Sequence, residues 1–147
     1  MPTPSSMSSK LQHDQLVLQL VEDNPLIIEK ISSATNLSLK ASENLLVEVI
    51  KFLDLIVISG QRLTPSYLVD QGWHELILFT RYYKNLCERT WGRFIHHHPG
   101  GKKQENQKNF QKTLTLYTQH WGNPPVQFWL NQDENQSIPG CGPCNAF

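Results

Sequence analysis

Leu39-Lys40-Ala41-Ser42-Glu43-Asn44-Leu45-Leu46-Val47-Glu48-Val49-Ile50-Lys51-Phe52-Leu53-Asp54-Leu55-Ile56-Val57-Ile58-Ser59-Gly60 is the stretch that decides the fold. Leu39, Leu46, Val49, Leu53 and Ile56 recur at helical spacing, Ser38 stands where an N-cap belongs, and Gly60 stands where a helix stops. Leu45, Val47, Ile50, Phe52, Leu55 and Val57 widen the apolar face beyond a single stripe, so this helix is expected at the centre with neighbours on several sides. Glu48, Lys51 and Asp54 interrupt the run. A bilayer span needs about 20 consecutive apolar residues, so the stretch reads as a core helix and the chain is expected to make no membrane contact.

Towards the N-terminus, Leu11, Leu16, Leu18, Leu20 and Val21 predict a short helix that Ser8 or Ser9 can cap. Asn24-Pro25 reads as the N-cap and first position of a second helix, whose Leu26, Ile27, Ile28 and Ile31 bury one face before Thr35-Asn36. Towards the C-terminus, Thr64-Pro65 restarts the chain. From Asp70 to Thr90, Trp73, Leu76, Ile77, Phe79, Thr80, Tyr83, Leu86 and Cys87 cover one broad side of a single helix, with Asp70, His74 and Arg81 on a narrow stripe outside it. A basic polar loop is expected through Gln107. Phe110, Leu114, Tyr117 and Trp121 then mark a helix ending at Gly122, Asn123-Pro124-Pro125 breaks it, and Val126 to Leu130 form a last turn. Strand alternation is nowhere sustained, and no repeat appears. The expectation is an all-α fold of four to five helices in a small irregular bundle: a disordered lead over 1–9, one domain over 10–130 and a flexible, cysteine-containing tail over 131–147.

Composition narrows the function classes. The chain has 147 residues, with 13 Lys plus Arg against 13 Asp plus Glu. Without net charge there is no long-range attraction to nucleic acid, which is therefore disfavoured as a partner. The balance hides a local bias: Arg81, Lys84, Arg89, Arg93, Lys102, Lys103, Lys108 and Lys112 crowd the middle of the chain. A solvated helix face and loop is the expected account of that density, with an anion site as the alternative. Three cysteines, an odd number, and no secretory pattern at the start argue for a reducing compartment, with the cytoplasm as the default.

One block is distinctive: Asp70-Gln71-Gly72-Trp73-His74, then Tyr83 and Cys87, then Gly92-Arg93-Phe94-Ile95-His96-His97-His98-Pro99. Leu63-Thr64-Pro65-Ser66 precedes it, and Leu114, Tyr117, Trp121, Gly122, Pro124, Pro125 and Trp129 follow in a fixed pattern. Over roughly residues 38–130 the chain resembles the glycine-rich-domain-containing-protein-like family, in the form of its bacterial stand-alone members. Trp121 stands where that pattern has Phe, and the glycine-rich region of the plant members is absent, so their roles are not carried over. The resemblance implies a domain of unsettled biochemical role.

Read as chemistry, Asp70 and His74 are i and i+4 on one helix face, within reach of each other or of one ion. The plain alternative makes Asp70 an N-cap and His74 a hydrogen-bonded helix residue whose loss would leave Asp70 unsatisfied. His96, His97 and His98 offer three imidazoles, and neutral imidazole is the commonest ligand for zinc, nickel or copper. In extended backbone adjacent side chains diverge, so one or two of the three can serve one ion. Cys87, 13 residues beyond His74, lies about 20 Å away along a straight helix, so two sets compete: Cys87 with a loop histidine, or Asp70 and His74 with a loop that folds back. A structural loop, its histidines stacked on Trp73 or Trp91, is the alternative to both.

Trp73 and Tyr83 are expected in the core, with Gly92 and Pro99 in turns. Cys141-Gly142-Pro143-Cys144 is spelled like a thioredoxin active site but lacks the strand before it and the helix after it. Its two tail thiols are left as metal-binding or oxidisable groups. No phosphate loop, nucleophile elbow or His-Glu-x-x-His pattern is present. The expectation is a noncatalytic domain that binds a partner protein or small ligand. The alternative is a zinc-like metal protein or metalloenzyme centred on His74 and the histidine run, with Asp70, His96, His97 and Cys87 as candidate ligands.

Overall fold

The computed structural model describes residues 6–129 and 144–146. Helix α3 (Leu39–Ser59) is capped as its sequence dictates: Ser38 Oγ accepts from the Ala41 amide at 3.1 Å, and Gly60 closes the other end in the left-handed region at φ 62°. Leu45, Leu46, Val49, Phe52, Leu53, Leu55 and Ile56 are buried all round the helix. Against it pack α1 (Ser6–Asp23), α2 (Leu26–Thr35), α4 (Tyr67–Ile77) and α6 (Lys103–Trp121). With α5 (Thr80–Trp91) and the short α7 (Val126–Trp129), seven helices form an all-α bundle among the described residues. No described helix is long and apolar enough to cross a membrane.

The charges that interrupt α3 tie other elements to it. Glu48 Oε1 accepts from the Tyr117 hydroxyl at 2.6 Å and from Trp129 Nε1 at 2.8 Å, fixing α6 and α7. Lys51 Nζ donates to the Tyr117 hydroxyl at 3.2 Å and lies 3.7 Å from Glu48 Oε2. Asp54 receives Trp91 Nε1 at 2.9 Å and meets His13 Nε2 at 2.7 Å, joining α5 and α1 to the centre. Glu48 and Lys51 are buried and each has a partner, as a buried charge requires, while Asp54 is partly exposed.

Four boundaries differ from the sequence reading. First, α1 begins at Ser6, inside the stretch expected as a lead. Second, Asn24 does not cap α2: its side-chain amide donates back to Leu20 O at 3.1 Å, and Pro25 is the N-cap residue. Third, the helix expected over 70–90 is two helices, because the chain turns at Leu78-Phe79, with Phe79 at φ −84°, ψ 65°. The turn lets the Tyr83 hydroxyl meet Trp73 Nε1 at 3.0 Å, whereas ten residues of straight helix would hold their Cα atoms about 15 Å apart. Fourth, α6 begins at Lys103 rather than after Gln107. Its first turn is polar, so apolar periodicity could not show it, and the buried Asn106 anchors it by donating to Gly101 O at 3.2 Å.

A short antiparallel pair was also not foreseen. β1 (His97–Pro99) pairs with β2 (Cys144–Ala146) in the register His97 with Ala146, His98 with Asn145 and Pro99 with Cys144. Cys141 and the rest of the expected tail lie outside the described residues.

Candidate functional site

The site grows out of α4. Ser66 caps this helix, its Oγ accepting from the Val69 amide at 3.2 Å and donating to Phe128 O at 2.6 Å. Asp70 is therefore not the cap; it sits in the first turn, buried, with His74 one turn further on. Gly72 lets α4 lie tight on α3, since a Cβ there would stand 3.0 Å from Val49 Cγ2 and 3.3 Å from Leu45 Cδ2.

The third side chain arrives from the segment after α5. Gly92 ends that helix at φ 75°, in the turn expected of it. The Tyr83 hydroxyl, which accepts from Trp73 Nε1, donates to Ile95 O at 2.6 Å, stapling the segment over α4 and α5. Trp73, Tyr83 and Ile95 are all buried. Past this staple the backbone runs extended, and the three histidines separate as alternation demands. His97 turns inward, its ring centroid 4.2 Å from Trp73 and 4.3 Å from His74. His96 packs against Phe94 at 4.6 Å and lies 5.8 Å from the ring of His98.

Asp70 thus stands between two imidazoles. Its Oδ1 is 2.9 Å from His97 Nε2 and its Oδ2 is 3.4 Å from His74 Nε2. One donor atom from each of the three residues lies within 4.8 Å of the others. A zinc ion about 2.0 to 2.2 Å from each donor spaces tetrahedral donors roughly 3.3 Å apart; the 3.4 Å contact to His74 is near that spacing, while the 2.9 Å contact to His97 is a hydrogen bond that an ion would have to open. Exposure is graded across the set: the side chains of Asp70, His97 and His74 are 6%, 12% and 47% accessible. Partial burial, chiefly, with help from His97, lowers the His74 pKa from its ordinary value although Asp70 pulls the other way. His74 is therefore neutral at neutral pH, the form that ligates a metal.

Of the ligand candidates read from the sequence, the structure brings together Asp70, His74 and His97. It leaves His96 outside the group. Cys87 is also outside: it is buried, burial pushes its thiol pKa up, and its neighbours are the Tyr83 hydroxyl and the Ile95 backbone. An unreactive core thiol has these properties. Arg81, expected on the stripe with Asp70 and His74, has moved across the α4–α5 turn. It lines an open groove of about 540 Å³ with Asn24, Phe79, Thr80, Tyr82 and Asn85. Other basic residues make exposed pairings: Arg89 Nη2 donates to the Tyr82 hydroxyl at 2.9 Å, and Lys84 lies 3.9 Å from Glu88.

A small helical domain with one carboxylate and two imidazole nitrogens converging at a half-open site is the class that fold and geometry define. The chain belongs to the UCP032817-like family, whose profile matches residues 14–127 and so spans Asp70, His74 and His97. Comparison with curated proteins finds no match, and neither does comparison with solved structures.

Proposed function

We propose that this protein binds a divalent, zinc-like metal ion through one Asp70 carboxylate oxygen, His74 Nε2 and His97 Nε2, and that it acts as a noncatalytic metal- or ligand-binding domain. The observation that supports this is the convergence of three donor atoms within 4.8 Å. They come from a helix and from a strand 27 residues away in the chain. Mixed nitrogen and oxygen donors suit zinc and its first-row neighbours. Three protein donors leave a further position on the ion, which the half-exposed edge at His74 opens to a small ligand or a partner's side chain.

A second reading rests on the 2.9 Å contact between His97 Nε2 and Asp70 Oδ1. In this reading the three side chains are a polar clasp that holds the histidine segment on α4. Elemental analysis of untagged, natively purified protein separates the two. The metal reading expects about one equivalent of zinc-like metal in the wild type and none in Asp70→Asn or His74→Gln. Absence of metal, with no thermal shift on adding zinc, nickel or copper, leaves the clasp. Kinship with the glycine-rich-domain-containing-protein-like proteins, suggested by Asp70-x-x-Trp73-His74, and residence in the cytoplasm, which suits the buried free thiol of Cys87, complete this reading.

A further inference from the structure

A second concave feature lies where the turn between α4 and α5 meets the junction of α1 and α2. Asn24, Phe79, Thr80, Arg81, Tyr82 and Asn85 line an open groove of about 540 Å³ there, within the range of about 300 to 1,000 Å³ typical of small-molecule sites. Arg81 carries a full positive charge on an exposed side chain and makes no ion pair among the described residues. The other charges nearby cancel. Asp23 accepts from Gln19 Nε2 at 3.0 Å and from the Tyr82 hydroxyl at 3.1 Å, so both of its carboxylate oxygens are engaged. The Tyr82 hydroxyl in turn accepts from Arg89 Nη2 at 2.9 Å, and the Arg89 guanidinium stands 5.2 Å from the centre of the Tyr82 ring. Asp23 and Arg89 thus offset each other through Tyr82, and Lys84 is paired with Glu88 at 3.9 Å. Burial, the largest influence, raises the Tyr82 pKa from its ordinary value, so this wall of the groove stays neutral. What remains is one uncompensated guanidinium beside two aromatic rings, two carboxamides and a hydroxyl, with no carboxylate among the lining residues.

From this arrangement we propose that the groove binds a small organic anion, its carboxylate or phosphate paired with Arg81 and its flat apolar body lying along Phe79 and Tyr82. A guanidinium meets either anion through two parallel N–H···O bonds, a geometry that an ammonium lacks. Phe79 and Tyr82 offer ring surface to the flat body, while the carboxamides of Asn24 and Asn85 and the Thr80 hydroxyl supply donors and acceptors for its polar substituents. The basic run in the middle of the sequence is therefore not uniform: Lys84 and Arg89 are engaged within the protein, and Arg81 is left for a ligand. The proposal is independent of the metal reading, because none of the three metal donors lines the groove.

Phenyl phosphate, benzoate and phenol are the probes, each titrated into the isotope-labelled full chain and followed by backbone amide chemical shifts. At least one of the two anions is expected to give saturable shifts concentrated at Asn24, Phe79 to Tyr82 and Asn85. Phenol, which has the ring without the charge, should bind about tenfold more weakly or worse. The tighter of the two anions identifies phosphate or carboxylate as the group recognised. Arg81→Gln, at an exposed position that leaves the core untouched, should weaken anion binding by about tenfold or more. Lys84→Gln, which removes the same charge from the same helix, should leave it nearly unchanged. No saturable shift at the groove with either anion would overturn the proposal. Phenol binding as tightly as the anions would reduce the groove to an apolar surface, and equal weakening by the two substitutions would assign binding to diffuse positive charge; either result overturns the role of Arg81. Metal binding by the wild type is tested separately and does not depend on these outcomes.

Discussion

Tyr83→Phe removes one oxygen and leaves the core volume almost unchanged, so its effect isolates the staple that positions the candidate site. The Tyr83 hydroxyl donates to Ile95 O at 2.6 Å and accepts from Trp73 Nε1 at 3.0 Å, and both partners belong to buried residues. Phenylalanine would leave a carbonyl and an indole N–H unsatisfied, at about 1 to 3 kcal/mol each. Removing the hydroxyl also removes its own desolvation cost, so the net loss is placed at about 2 to 4 kcal/mol, a large part of a total of about 5 to 15 kcal/mol. For a chain of this size that corresponds to a fall in Tm of roughly 5 to 15 °C. Circular dichroism melts and urea titrations measure it, with an unchanged urea slope showing that the folded and unfolded states are otherwise comparable. The same substitution should loosen His97, two residues past the staple, and weaken zinc binding. Tyr117→Phe is the control: it breaks the contact with Glu48 at 2.6 Å and should cost stability without a matching loss of zinc affinity. A Tm within about 2 °C of wild type for Tyr83→Phe would refute the reasoning, since two buried unsatisfied groups cannot cost less than about 1 kcal/mol together.

Trp73→Ala should cost about 3 to 5 kcal/mol, because Trp73 is fully buried, packs edge-on against Phe52 and carries the His97 ring; a denaturant midpoint close to wild type would count against this. His74→Gln, expected from sequence to destabilise, should instead shift stability by about 1 kcal/mol or less, since the side chain is 47% accessible and Asp70 keeps His97 at 2.9 Å. Melting would show it, while metal content falls. The lowered pKa of His74 has a definite sign: the unfolded chain takes up a proton near pH 6.5 and the folded chain only at lower pH. Its stabilising contribution is therefore full above that value and is lost as pH falls through the interval below it. Metal-free wild type should lose more stability than His74→Gln on acidification through this range, and equal losses would refute the assignment.

Much of the architecture was legible because it depends on groups that leave a local trace. Ser38 and Gly60 bracket α3, Trp73 and Tyr83 are core residues, and the divergence of adjacent histidines follows from strand geometry alone. The turn at Leu78-Phe79 leaves no such trace. Neither glycine nor proline marks it, and its compensation is a tertiary hydrogen bond between Trp73 and Tyr83. The first turn of α6 was hidden for the opposite reason, since its buried residue is Asn106 rather than an apolar one. Spacing put Asp70 beside His74, but only the staple at Ile95 selects His97 from the run. Apart from the Glu48–Lys51 pair itself, the partners of Glu48, Lys51 and Asp54 lie 37 to 81 residues away. In the sequence these three were visible only as charges within an apolar helix.

The central claim is that one particular histidine of the run, with Asp70 and His74, forms the metal site. The most direct measurement is zinc binding by calorimetry to untagged wild type, His97→Gln and His96→Gln under reducing conditions. The account predicts one zinc per chain for wild type and His96→Gln with similar affinity, and loss of that binding in His97→Gln while the protein stays folded. Equal weakening by the two substitutions, or unchanged binding in His97→Gln, would contradict it, because neighbouring residues that alternate sides of a strand cannot be interchangeable ligands of one enclosed ion.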